Sequence, residues 1–327
     1  MTKNKVRGTS THSVRNAKTG AWEERQQWVK KETVTNIEDI AGVIKTTLQE
    51  TLKYQPELPS QQTAAWKPSD TFTVYPVGDH HLGMLSWPEE TGGDYNVKIG
   101  TKLLEKATAY LLGKADERSD CLLVFLGDFM HFDSLEAVTP QNKNMLDSDS
   151  RYPIMARAAI RLMQTMIDMC AVRHNKVHCI VEQGNHDPTS AIMLREALHA
   201  HYVKVKRVNV DNAPGVFHYL RWQNNLIGTH HGHTVRQLAT LPMIMAQDRK
   251  KEWAATDHRV FLTGHRHKDI VLDLVGCRVE SVRILPPADA WAHESGYRPY
   301  RQMTSIQLHK KHGEIARHFV KPSMLGF

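Results

Sequence analysis

Five short polar strings, each closely following an apolar, β-leaning run, constrain this chain more than anything else in it. They are Asp79-His80-His81 after 71–77, Gly127-Asp128 after 121–126, Gly184-Asn185-His186-Asp187 after 177–181, His231-Gly232-His233 after 226–229, and Gly264-His265-Arg266-His267 after 260–263. Buried strands alternating with helical stretches predict an α/β sheet. In such sheets ligands collect beyond the carboxyl ends of the strands. Five loops therefore deliver Asp, His, Asp, Asn, His and His-x-His to one place. This set offers oxygen and imidazole donors and no cysteine, which suits one or two hard-to-borderline divalent ions.

Composition narrows the class. The 327 residues suffice for one large α/β domain with an appendage. No apolar run approaches the ~20 residues of a membrane span, so no membrane partner is expected. The start, with Lys3 and Lys5 close to Met1, leads into no hydrophobic stretch and predicts no secretory signal. Cys121, Cys170, Cys179 and Cys277 are scattered without a C-x-x-C pair. They read as small core residues of a reduced, cytoplasmic protein. The formal charge of +7 favours polyanionic partners, nucleic acid among them; a soluble surface with excess Lys is the plainer reading of the same number.

The chain divides at 68/69. Residues 1–35 are polar and basic with little periodicity and read as an arm. Asn36 then caps an amphipathic helix carrying Ile37, Ile40, Ala41, Ile44, Leu48 and Leu52, and a Pro-containing linker follows over 55–69. Within 69–327, Ile154, Leu162, Met166 and Cys170 mark a long helix. Thr189 is expected to cap another, through Leu194 and Leu198, and 243–255 a third with Pro242 in its first turn. Two strands over 269–275 and 277–284, joined at Gly276, predict a hairpin in a second sheet.

Together the five motifs resemble the calcineurin-like metallophosphoesterases, whose pattern runs D-x-H, G-D, G-N-H-[DE], an H-containing loop and G-H-x-H. The likeness covers roughly residues 70 to 300 and does not reach the accessory N-terminal region, residues 1–68. It implies a four-layer α/β/β/α sandwich of two mixed sheets, a catalytic domain over 69–327 and a pair of divalent ions. Manganese is the first expectation, with Fe²⁺, Co²⁺, Ni²⁺ or Zn²⁺ as alternatives. By the family's pattern Asp79, His81 and His267 hold one ion, Asn185, His231 and His265 the other, and Asp128 bridges them. His186 matches the family's non-ligand histidine, stabilising the transition state or protonating the leaving oxygen. Asp187 would orient His186, and Gly184 would supply φ freedom. In the fourth motif His230, His231 and His233 compete; the pattern H-G-H favours His231, leaving His230 on the opposite face of the strand end and His233 to contact substrate. The same run followed by Leu241-Pro242 also resembles the small-phosphodiesterase branch. His80 is expected at the rim.

Protein phosphatases of the superfamily carry G-D-x-x-D-R-G and G-N-H-E, and this chain has neither the Arg nor the Glu. The string Gly127-Asp128-Phe129-Met130-His131 is instead similar to the second motif of the double-strand-break repair exonucleases, where a histidine at the position of His131 supports exonuclease action. Arg301, Lys310, Lys311, Arg317 and Lys321 add a basic tail. Trp291 and Tyr297, beyond the fifth motif, either stack a base or belong to the core, and the segment around them is similar to small phosphoesterases of phage genomes. The function expected is a dinuclear-metal phosphodiester hydrolase acting on DNA or RNA. The alternatives are a phosphodiesterase or phosphomonoesterase for small or cyclic nucleotides, and a catalytically silent nucleic-acid-binding scaffold. The N-terminal helix is the natural contact for a homo-oligomer. His174, His199, His201, His309, His312 and His318 are assigned to surface or core; His218, His258 and His293 are left open.

Overall fold

A computed structural model describes residues 4–15 and 22–33 as backbone strands and residues 69–298 and 300–327 with their side chains. The chain separates into two units, Met1–Glu50 and Thr51–Phe327. In the first, β1 (Asn4–Arg15) pairs antiparallel with β2 (Trp22–Thr33), where the sequence suggested an arm without regular structure. The amphipathic helix expected from Asn36 onward, and the 68/69 boundary, lie outside the described residues.

Among the described residues of the second unit, β3 (Thr71–Val77) comes first. Its β-branched and aromatic residues favour a pleated strand. Phe72 and Val74 point to one face and Tyr75 and Val77 to the other, each set packing into a different apolar cluster. Pro76 breaks no ladder: Val77 accepts from Leu126 N–H on the β4 side, and pairing with the strand on the other side ends at Val74. β4 (Asp120–Phe125), β5 (Val177–Val181) and β6 (Val208–Val210) continue the sheet in parallel, while β12 (Met303–His309) and β13 (Gly313–Val320) close its other edge antiparallel. A second mixed sheet runs in the order β10 (Ile270–Leu274), β11 (Cys277–Ser281), β9 (His258–Thr263), β8 (Asn225–His230), β7 (His218–Trp222). The expected hairpin at Gly276 is β10–β11, and Gly276 has a φ of +79° there.

Helices cover the outer faces. α1 (Pro88–Thr91) is a single turn. α2 (Val97–Leu112), α3 (Tyr152–Arg173) and α4 (Pro188–Tyr202) bury Leu103, Leu104, Leu111, Met163, Ile167 and Leu198 against the first sheet. α5 (Leu241–Asp248) and α6 (Lys250–Ala254) lie on the second, where Leu241 and Met245 meet Phe261 and Val279. Between the sheets sit Phe72, Leu122, Val124, Leu126, Ile227 and Leu262. Each such side chain contributes roughly 1.5–3 kcal/mol on burial. The layers are α/β/β/α, as expected. α2 was not anticipated, although its apolar spacing is helical; Asn96 caps it by accepting from Ile99 N–H at 2.9 Å. α4 starts one residue before Thr189, and its free amides on Thr189 and Ser190 donate to the Asp133 carboxylate at 2.7 and 2.6 Å. Thr189 is capped rather than capping. The four cysteines are free and buried, and no helix among the described residues is long and apolar enough to cross a membrane.

His174, read as surface or core, is fully buried, with Tyr75 Oη 2.8 Å from its Nε2 and Ser119 Oγ 3.0 Å from its Nδ1. Burial pushes its pKa down to about 4. The unfolded chain, with an ordinary histidine near 6.5, binds the proton first as pH falls, so the neutral ring's stabilisation is complete above 6.5 and lost through 4. His174→Gln is expected to flatten the pH dependence of unfolding free energy over that window by about 1.4 kcal/mol per pH unit at its steepest, read from urea titrations. An unchanged slope would mean that His174 does not titrate on unfolding.

Candidate metal centre

Because β3, β4 and β5 are parallel neighbours, the loops carrying Asp79, Asp128 and Asn185 leave the same edge of the first sheet. β8 and β9, also parallel neighbours, bring the His231 and His265 loops out of the second. Hydrogen bonds tie the two edges together. The His265 amide donates to Asp79 Oδ1 at 2.9 Å and His231 Nδ1–H to the Leu126 carbonyl at 2.7 Å, while Gly264 N–H to the His231 carbonyl, 2.9 Å, joins the two loops of the second sheet.

Candidate ligand atoms meet in three sets, Asp79, His81 and His267, then Asp128, His231 and His265, and also His81, His131 and His186, each set within 4.8 Å. The first two consist of residues that the resemblance implied as ligands. Asn185 joins the second, its Oδ1 lying 3.1 Å from His231 Nε2. The seven residues that the resemblance implied as ligands are thus brought together. The donor chemistry fits cations. His231 gives its Nδ1 proton to a carbonyl, so Nε2 is left facing two further acceptors, Asn185 Oδ1 and, at 3.2 Å, Asp128 Oδ2. Three acceptors converge there, and only a positive charge among them satisfies all three. The same demand appears in His231 itself: burial opposes its charge, yet Asp128 and Asp79 push its pKa up to about 10. Around Asp79, His267 Nε2 lies 2.9 Å from Oδ2 and 3.3 Å from His81 Nε2. Burial resists ionisation of both carboxyls, but the neighbouring histidines hold Asp79 below, and Asp128 well below, the usual range. Burial keeps His81 and His265 neutral, His265 near 4, so their lone pairs are available.

The backbone is bent to serve this arrangement. His81, Asp128, His265 and His267 have φ of +45°, +48°, +64° and +53°, the left-handed region that side-chain-bearing residues rarely adopt. Each costs of order 1 kcal/mol or more. The strain is held by bonds such as His81 N–H to the Asp128 carbonyl, 2.9 Å. Gly184 and Gly264 serve by leaving space: a Cβ on Gly184 would overlap the Asp128 carboxylate, and one on Gly264 would overlap that of Asp79. Gly184 has no left-handed φ, so its expected conformational role is replaced by this steric one.

Other expectations are corrected. Asp187 does not orient His186. Its carboxylate accepts from the amides of Asp128 (3.1 Å), Met130 (3.0 Å) and Gly184 (3.1 Å), locking the second motif onto the third. His186 is oriented instead by the His131 carbonyl, 2.8 Å from its Nδ1. The His131 side chain is buried, its Nδ1 3.3 Å from His81 Nδ1. With His81 Nδ1 engaged there, His81 Nε2 faces His267. His80 is likewise buried, with its main-chain carbonyl bound by Tyr95 Oη at 2.6 Å. His230 turns away from the centre, stacking on Phe217 at 4.4 Å and accepting from Gly232 N–H. His233 stands beside His231 and His265, ring centroids 5.2 and 6.3 Å away. Trp291 and Tyr297 are exposed, which removes the core alternative. His218 binds Asp211 and the Gly215 carbonyl, and His258 the Lys311 carbonyl. Sequence reading passed over the Leu126 carbonyl and Asp133; main-chain acceptors and long-range caps leave no local pattern.

Two mixed sheets between helices, with all five motif loops at facing strand ends, are what the resemblance implied. The described residues therefore have the layered architecture that the resemblance implied. No family model matches it and no curated protein does. Solved structures do. An archaeal phosphodiesterase is 14% identical over 76% of this chain and 98% of that one, with a TM-score of 0.40. A dimetal phosphatase from Danio rerio is 10% identical over 76% and 98%, TM-score 0.40. A predicted phosphoesterase from Streptococcus pneumoniae is 12% identical over 77% and 91%, TM-score 0.34.

Two outcomes follow for metal content, measured by elemental analysis. Gly184→Ala should lose metal and lower Tm, with an overpacking cost of about 1–3 kcal/mol; retention of both would mean that the loop yields freely. His231→Ala should remove bound metal to a far greater extent than His230→Ala, and the reverse order would move the ligand one residue upstream.

Proposed function

We propose that this protein is a dinuclear-metal phosphodiester hydrolase whose substrate is DNA or RNA. The observation that carries the hydrolase reading is the convergence of carboxylate, amide and imidazole donors from five loops, with His186 beside them. Asp79, His81 and His267 would hold one ion, and Asn185, His231 and His265 the other, with Asp128 shared. When bound, the ions supply Lewis acidity, lowering the pKa of water at the site and offsetting phosphoryl charge. Manganese is the first ion to test, since mixed imidazole and carboxylate donors accept it along with iron, cobalt, nickel and zinc.

The chain's own residues set the rest. Asn185 contributes a neutral oxygen, so the two carboxylates Asp79 and Asp128 leave a doubly divalent centre positive, as a phosphodiester anion requires. His186 spends its Nδ1 proton on the His131 carbonyl, so its reactive nitrogen is Nε2. Its ring lies 4.8 Å from that of His81. As the imidazolium, with Nδ1–H kept on the carbonyl, its Nε2–H can donate to the phosphoryl group or pass its proton to the leaving oxygen, leaving the ring neutral. The preference for nucleic acid is supported by the second-motif string ending in His131 and by the net charge of +7.

The test is Mn²⁺-dependent cleavage of end-labelled single- and double-stranded DNA and RNA. Asp128→Asn is expected to abolish cleavage and lower metal content. His186→Ala should keep metal but lose about 100-fold or more in kcat; loss of metal instead would make it a ligand. Hydrolysis of bis(p-nitrophenyl) phosphate without any oligonucleotide cleavage would keep the centre and move the substrate to small nucleotides.

A further inference from the structure

β11 runs parallel to β9, so the chain leaving β11 emerges on the same edge of the second sheet as Gly264–His267. There the Val282 amide donates to the Thr263 carbonyl and Ser281 Oγ to that of Gly264. The loop that follows is fastened to both halves of the centre. The Arg283 guanidinium pairs with Asp269, two residues past His267, at 3.6 Å, and its carbonyl is packed against Gly78, which precedes Asp79. Ser86, at the end of the first-motif loop, donates to the Ala288 carbonyl at 2.9 Å.

What this loop displays is unusual for a surface. Trp291 and Tyr297 are 68% and 59% exposed and stack on each other, ring centroids 5.9 Å apart and 25° from parallel. Tyr300 is 77% exposed, with the Arg283 guanidinium 5.6 Å from its ring. Large aromatic rings dominate burial energetics wherever they can be covered, and clustered exposed ones mark interaction sites. Interleaved arginines decide the class of partner. Arg298 donates to the His293 and Tyr297 carbonyls, and Arg301 to that of Leu285. These contacts orient the exposed Arg298 guanidinium without cancelling its charge, while Arg301 is half-buried. Flat π-faces beside the uncancelled Arg298 match a chain of bases on a phosphate backbone, and stacking of this kind accepts every base.

We propose that Trp291, Tyr297 and Tyr300 form a base-stacking platform that binds single-stranded nucleic acid beside the metal centre. The proposal rests on the nuclease reading above and adds the strandedness of the substrate. It is tested by fluorescence anisotropy of a labelled phosphorothioate oligonucleotide, single- or double-stranded, against the full chain loaded with Mn²⁺, with bis(p-nitrophenyl) phosphate turnover measured in parallel. The Trp291→Ala, Tyr297→Ala double variant should bind the single strand about tenfold or more weakly while kcat/KM on bis(p-nitrophenyl) phosphate is unchanged. Trp291→Phe, which keeps a π-face, should recover most of the binding, and Trp291 fluorescence should be quenched by the oligonucleotide. Equal affinity of wild type and double variant, or tighter binding of the duplex with no dependence on Trp291, would overturn the platform and leave the patch to a protein partner. Wild type that hydrolyses bis(p-nitrophenyl) phosphate yet binds no oligonucleotide overturns it too. Oligonucleotide binding that depends on Trp291, in a protein that hydrolyses nothing with any metal, would support the platform and remove the hydrolase reading instead.

Discussion

Two buried carboxylates and a ring of imidazole lone pairs face one another in this protein, and such a set is stable only around positive charge. Most features of the second unit follow from that requirement. Burial strips water from Asp79 and Asp128, so their charge must be met locally. His231 meets it as a cation when nothing else does, its Nδ1 already committed to the Leu126 carbonyl. His81 and His265 stay neutral, first because burial opposes their charge and then because neighbouring imidazoles disfavour a further cation. A divalent ion in place of that proton would serve more acceptors at once.

The fold meets the geometric half of the requirement. Parallel strands discharge their loops on one edge, so three donor loops come from the first sheet and two from the second. The final aim of each side chain is set by the backbone, through left-handed φ at four candidate ligand positions and through glycines whose missing Cβ lets a carboxylate approach. Asp187 holds two of these loops in register by accepting three amides. It is a keystone for the backbone that carries the ligands, and not a partner of the histidine next to it in sequence.

Much of this was legible in the sequence because buried parallel strands read as apolar runs with abrupt polar ends. That local signal located β3, β4, β5, β8 and β9, and the ligand positions followed, since a residue just past a strand end has little freedom over which edge it occupies. Roles set by long-range hydrogen bonds were not legible. Nothing local distinguishes a histidine at the rim from His80 or His131 in the interior, or an Asp that orients a side chain from one that binds amides of a loop 59 residues away. The β1–β2 pairing was missed because its residues are polar on both faces, without the alternation that marks a strand against a core. Gly184 was assigned to conformation when its role is space, a distinction that depends on where the Asp128 carboxylate lies.

The tie between Asp79 and His267 spans 188 residues. Joining two points so far apart along a flexible chain costs about 5 kcal/mol in closure entropy, and an ion held by both would act as a removable cross-link. The centre is therefore completed late in synthesis, since its final donor, His267, emerges only after β3, β4, β5, β8 and β9 have all been made. Occupancy by metal would then report that the two halves have found each other, and chelation would loosen the seam between them before it disturbed either sheet alone.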